Sequence, residues 1–190
     1  MGLVRAERLQ EEFPVEMDVC AYDLHPGLPP EGLPREEAYP SRKSPPEYFE
    51  RLRQMAAEAG IRMDRPEVIA NTRKAHEATE FARAGGHLQE YQRALFRSYW
   101  EEGDNIGDVE VLCRVAAGCG LDADDLRLAL AQGRYAAAVD EQIAWSRAVG
   151  ISGVPTFVIN NTYAVVGAQD YETFRDIASR ITSGELKAEG

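Results

Sequence analysis

Residues 2–12 place Leu3, Ala6 and Leu9 on one face, with Phe13 closing the series and charged side chains between them. That spacing predicts an amphipathic helix, which Pro14 ends. The period then changes to two. Val15, Met17, Val19 and Ala21 alternate with Glu16, Asp18, Cys20 and Tyr22, the pattern of a strand over 15–22. Next comes DLHPGLPPEGLPREEAYPSRKSPPEY, whose density of proline and glycine reads as an extended loop. Loops of that length inside a compact domain are uncommon and often functional.

From Pro46 to Gly150 the helical period returns. Helices are expected near 46–59, 67–84, 86–102, 108–118, 122–132 and 134–149, divided by Gly60, Gly85–Gly86, Gly103 and Gly118/Gly120. Asp122, and Asp104 or Asp108, have the acceptor side chains of helix caps. The chain then goes back to β structure. Thr156–Ile159 is short and apolar, Asn160-Asn161 tolerates the positive φ of a hairpin turn, and Tyr163–Val166 returns. Asp170 precedes a final helix over 171–182, with Phe174, Ile177, Ala178 and Ile181 facing inward. Pro155 stands at the entrance of the first of these strands. Lacking an N–H, a proline in a sheet is confined to edges, strand starts and bulges.

Charge and composition remove several classes of function. There are 21 Lys and Arg against 32 Asp and Glu, a net charge of −11, with no basic stripe interleaved with aromatics, so a nucleic-acid partner is not expected. No apolar run approaches the roughly 20 residues that span a bilayer. The opening MGLVRAERLQEEF is charged rather than signal-like, and Ala6 breaks the myristoylation pattern, so no membrane attachment and a cytoplasmic location are expected. Cys20, Cys113 and Cys119 are too few, and odd in number, for a disulfide framework. His25, His76 and His87 are scattered, with no zinc-site spacing, so no metal is expected.

Five ordered segments carry a resemblance over nearly the whole chain. They are YDLHP with PPEG, NTRKAHEATEFARAGG, LFRSYWEEGDNIGD, GISGVPTFVIN and VVGAQDYETF. Together they resemble the DsbA-type thioredoxin family, in particular its FrnE-like branch, which is related to 2-hydroxychromene-2-carboxylate isomerases and kappa-class glutathione transferases. The resemblance implies an α/β, thioredoxin-like fold over 1–45 and 151–190, carrying an all-helical insertion over 46–150. It also implies a cis Pro155, which leaves the backbone of Val154 unpaired and available to an extended substrate.

One departure stands against the agreement. The family's chemistry sits in a C-P-W-C motif, or a serine variant, between its first strand and first helix. Here Met1-Gly2-Leu3-Val4-Arg5 matches the helix just after that motif, so neither strand nor motif is in this sequence. Loss of a central strand leaves unpaired edges, and the expectation is that the native protein begins upstream of Met1.

The candidate substrate-binding residues are Val154, Pro155, Thr156, Asn71, His76, Gln169 and Asp170. Asn71 and His76 lie on the helix that borders the active site in the resemblance, though an ordinary polar helix face accounts for them as well. Gln169 and Asp170 open the last helix, where free N–H groups favour anions; the relatives hold glutathione's γ-glutamyl end in this region, and a simple cap is the alternative. Cys20 reads as a small sheet residue, Cys113 as buried and inert, and Cys119 as a helix-exit residue. Trp100, Trp145, Tyr91, Phe96 and Tyr99 read as packing within the helical region. Three functions fit. The first is a thiol–disulfide oxidoreductase acting on a thiol- or disulfide-bearing peptide or protein, with no cofactor. The second is a glutathione-dependent isomerase or transferase, with glutathione as co-substrate. The third is a non-catalytic binding module. A homodimer is compatible with each, and the chain as it stands is expected to lack dithiol activity under all of them.

Overall fold

The computed structural model describes residues 1–39, 46–167 and 169–186. Helix α1 (Gly2–Glu12) ends where Phe13 turns extended, its N–H donating to Leu9 O at 2.9 Å. Within the long 23–48 loop the chain makes a two-residue strand β1 (Leu33–Pro34) and a single-turn helix α2 (Arg35–Ala38). Residues 40–45 of that loop lie outside the described residues. Helix α3 (Pro46–Glu58) follows, then β2 (Val68–Ile69), which pairs antiparallel with β1 so that Leu33 faces Ile69. The helix predicted from 67 therefore starts only at Arg73, because that pairing consumes the residues before it.

The remaining helices are α4 (Arg73–Ala84), α5 (Leu88–Arg97), α6 (Val109–Gly118), α7 (Ala123–Gln132) and α8 (Ala136–Ala148). Helix α5 runs into a π-helical turn, Ser98–Glu102. Asp108 and Asp122 cap α6 and α7, accepting from Glu110 N at 2.9 Å and from Asp124 N and Asp125 N at 2.9 and 3.0 Å. Asp104 does not cap; it takes the Ser98 hydroxyl at 2.6 Å and the Arg114 guanidinium at 2.5 Å. The chain closes with strands β3 (Thr156–Ile159) and β4 (Tyr163–Val166) and helix α9 (Tyr171–Thr182).

The main core lies between α4, α5, α6 and α7, where Ala78, Ala82, Tyr91, Leu112, Ala116 and Leu126 are fully buried. Alanines at the crossing points let these helices approach closely around the few large side chains. Not every aromatic joins them. Tyr91 is buried, but Phe96 and Trp145 are 49% and 38% exposed, so the packing role expected for those two fails. Helix α4 is also tied by charge. The buried Glu77 carboxylate takes Arg73 Nε at 3.3 Å and Lys74 Nζ at 3.2 Å, while Arg73 reaches Asp140 of α8 and Lys74 reaches Leu130 O of α7. Among the described residues no helix is long and apolar enough to cross a membrane.

Segment 15–22 departs from expectation in an informative way. Its burial alternates as the sequence pattern requires: Val15, Met17 and Val19 are half-buried and Ala21 is buried, while Glu16, Asp18 and Cys20 are exposed. Yet it pairs with no strand among the described residues. Side chains hold it instead. Arg83 of α4 donates to Asp18 at 2.6 Å and to Val19 O, and Gln142 of α8 accepts from Ala21 N at 2.7 Å. Ala21 packs on Val139 and Ile143 of α8. Alternation reports which face is covered; a ladder needs a second strand about 4.8 Å away, which alternation does not supply.

Candidate functional site

The β3–β4 hairpin turns at Asn160 and Asn161, whose φ values of 50° and 54° lie in the left-handed region that asparagine tolerates. Register follows from that turn: Ile159 faces Tyr163 and Thr156 faces Val166. The ladder extends one step further, because Pro155 O accepts from Gly167 N at 2.8 Å. The Val154–Pro155 peptide bond is cis. Thr156 Oγ1 donates to Gly153 O at 2.7 Å, drawing the approach loop against the strand. Phe157 meets Phe174 edge to face at 4.6 Å, which fastens the hairpin to α9.

Val154 stands out of this construction. The residue is 51% exposed, and neither its N–H nor its C=O is hydrogen-bonded to another described residue. Directly beside it the first turn of α1 closes on the proline ring. A Cβ added to Gly2 would sit 3.1 Å from Pro155 Cβ and 3.3 Å from Phe157 Cζ, so only glycine allows this approach without displacement. The start of a helix, with its unsatisfied N–H groups and positive dipole end, thus lies against the strand entrance. Gly2 was not singled out from the sequence, where a glycine at a helix start has no distinguishing signal.

The other candidate residues are placed as follows. Gln169 Nε2 donates to Val166 O at 2.9 Å, bracing the end of β4. Asp170 has the extended backbone of an N-cap, but its side chain makes no cap bond; its carbonyl accepts from Thr173 N at 3.1 Å. Asn71 is a tether for the segment after residue 21, while His76 is half-buried on the helix that Asn71 opens. Asn71 Nδ2 donates to Leu28 O at 2.7 Å while its Oδ1 takes Arg73 N at 3.0 Å, opening α4. His76 Nε2 lies 3.3 Å from the hydroxyl of Thr72, the N-cap residue of the same helix. Burial pushes its pKa below the ordinary value, opposed in part by the Tyr22 backbone and the nearby Asp23 carboxylate.

All three thiols are pushed the wrong way for nucleophilic work. Burial raises the pKa of Cys113 and Cys119 inside the α4–α7 core. Cys20 is exposed, and partial desolvation together with the Asp18 carboxylate raises its pKa as well.

A model of the DSBA-like thioredoxin domain family matches residues 1–178. A solved structure described as a probable DsbA oxidoreductase from Streptomyces coelicolor superimposes with a TM-score of 0.86 at 26% identity, covering 98% of this chain and 85% of that one. A 2-hydroxychromene-2-carboxylate isomerase shares the fold, with a TM-score of 0.70 at 18% identity over 97% of this chain and 92% of its own. An uncharacterized Bacillus subtilis protein, YwbO, is 28% identical over 87% of this chain and 82% of its own length.

Proposed function

Because the chain belongs to the DSBA-like thioredoxin domain family, we propose that it acts in thiol–disulfide exchange, holding a thiol- or disulfide-bearing peptide as an extended strand along Val154, Pro155 and Thr156. The observation that carries this reading is Val154: an exposed residue whose backbone donor and acceptor are unspent among the described residues, fixed in place by a ladder that resumes at Pro155 O. An extended peptide recovers those two hydrogen bonds by strand addition and docks its side chains to either face.

Exchange itself needs a thiolate that attacks one sulfur of a disulfide, forms a new S–S bond and expels the other sulfur as a thiolate. Cys20, Cys113 and Cys119 are unsuited to that role, since every one is held above the ordinary thiol pKa. The family's chemistry therefore calls for a dithiol other than these three cysteines. In this reading the residues described here supply substrate binding.

Fluorescence anisotropy with a labelled cysteine-containing peptide tests the reading. Binding is expected to survive alkylation of all three cysteines, and Val154→Pro, which removes the N–H, is expected to weaken it by about tenfold. Reduction of insulin by the chain as it stands is expected to equal the uncatalysed background. Loss of peptide binding on alkylating Cys20, or insulin reduction above background that alkylating Cys20 abolishes, would overturn the assignment. Binding of glutathione in place of the peptide, without exchange, would move the protein to the glutathione-dependent isomerase or transferase class.

A further inference from the structure

The β3–β4 hairpin has an outer edge that its own ladder leaves unused. Gly167 N donates to Pro155 O at 2.8 Å, so positions 155 and 167 form a hydrogen-bonded pair of an antiparallel ladder. Such pairs recur at every second residue, which makes Phe157 with Val165 and Ile159 with Tyr163 the other two. Ala164 and Val166 fall between them and point both of their backbone groups away from β3. Among the described residues, only Val166 O has a partner on that side, the Gln169 amide at 2.9 Å, and a carbonyl oxygen keeps a second lone pair. We propose that this edge pairs with the same edge of a second copy of the chain, joining two hairpins into one antiparallel sheet about a two-fold axis. The peptide-binding reading concerns Val154, on the opposite edge of the hairpin, and the two are independent.

Three features make a second copy the occupant. The first is self-complementarity. With Val165 on the two-fold axis, Ala164 lies opposite Val166 of the second copy, and each such pair exchanges two backbone hydrogen bonds. Val166, 57% exposed in the single chain, is then covered by the small, exposed Ala164 across the strand pair. Any extended strand can use the hydrogen-bonding groups, but the two-fold match of Ala164 to Val166 singles out the same strand. The second feature is charge. The chain carries a net charge of −11, so two copies repel wherever their charged surfaces meet. Between Arg147 and Asp170 there is no charged side chain, and β4 lies within that run. The third is the lack of protection. Soluble proteins shield open edges with lysine, proline or a bulge. Tyr163–Val166 contains neither charge nor proline, and its register with β3 runs without a bulge.

Sedimentation velocity of the full chain over a range of concentrations tests the proposal. The mass is expected to pass from one copy towards two as the concentration rises to about 1 mM. Val166→Lys places a charge on the edge at an exposed position, and is expected to weaken association by about tenfold or more. Binding of the labelled peptide at Val154 is expected to be unchanged in that variant. Hydrogen exchange at the Ala164 and Val166 amides of the unaltered chain is expected to slow over the same concentration range. A chain that stays single at about 1 mM would overturn the proposal, as would a dimer that Val166→Lys leaves intact. Dimerisation that leaves the two amides unprotected would overturn it too, a result read on the unaltered chain even where Val166→Lys fails to fold. Protection of those amides by the peptide in dilute, single-copy protein would give the edge to another occupant and equally overturn it.

Discussion

At Cys20, Cys113 and Cys119 side-chain environment, not residue type, decides reactivity. Two are buried and one is exposed, and the exposed one is kept protonated by partial burial and Asp18. Titration of the native protein with an aromatic disulfide reagent is expected to reveal one accessible thiol, reacting faster as pH rises, and three after denaturation. Two fast native thiols would contradict the burial of Cys113 and Cys119. His76 makes a second residue-scale prediction. Its folded pKa is depressed, so between that value and the unfolded one, near about 6.5, the unfolded chain binds more protons. The contribution is therefore intact above about pH 6.5 and is lost as pH falls through the folded pKa. Urea unfolding at pH 7.5 and 5.5 is expected to show a larger loss for the parent chain than for His76→Gln. An equal loss would mean that His76 does not titrate differently on folding.

Helix α4 is the element on which the rest hangs. Asn71, just before its N-cap, holds Leu28, and its last turn holds Asp18 and Val19 through Arg83. Together with Gln142 of α8, which holds Ala21, it positions 18–28, a stretch with no strand partner among the described residues. Asn71→Ala removes the Leu28 tether and the bond to Arg73 N together. It is expected to cost about 1–2 kcal/mol in stability and to make residues 24–32 a site of limited proteolysis. Stability lowered without faster cleavage there would mean that the loop is held by its other anchors alone. The helix positions themselves were legible from sequence because the 3.6-residue period and the capping aspartates are local. The start of α4 at Arg73 was not, because it depends on Val68 and Ile69 pairing with Leu33 and Pro34, more than thirty residues away.

Across the whole molecule stability is unevenly distributed. The α4–α7 core contains most of the fully buried side chains, whereas α1 buries no residue completely and α9 buries only Phe174 and Ala178. Contacts between α1 and α9 are surface ones, such as Arg8 lying 3.7 Å over the Tyr171 ring. Native-state hydrogen exchange is expected to show α1, the β3–β4 hairpin and α9 opening at lower free energy than α4–α7. Phe174→Ala, which also breaks the contact with Phe157, is expected to cost about 3–5 kcal/mol and to accelerate exchange mainly in those outer elements. Leu126→Ala, at about 2–5 kcal/mol, is expected to accelerate exchange everywhere. Uniform acceleration by both substitutions would show a single cooperative unit.

What the sequence determined by itself is whatever depends on near neighbours. The apolar spacing set the helices, the Asn160-Asn161 pair set the hairpin, and the order of elements with its five motifs identified the family. Pairing, approach and satisfaction were decided only by the tertiary structure, because each joins residues far apart in the chain. Segment 15–22 has a strand's alternation but is held by Arg83 and Gln142 rather than by a ladder. Gly2 closes on Pro155 across more than 150 residues of chain. Asn71, a polar helix position in the sequence, becomes a tether because Leu28 has a backbone carbonyl outside regular secondary structure. The physical reason is common to all three. Periodicity encodes which side of an element is covered, whereas the group that covers it, and the hydrogen bonds it can offer, are fixed by how the elements come together.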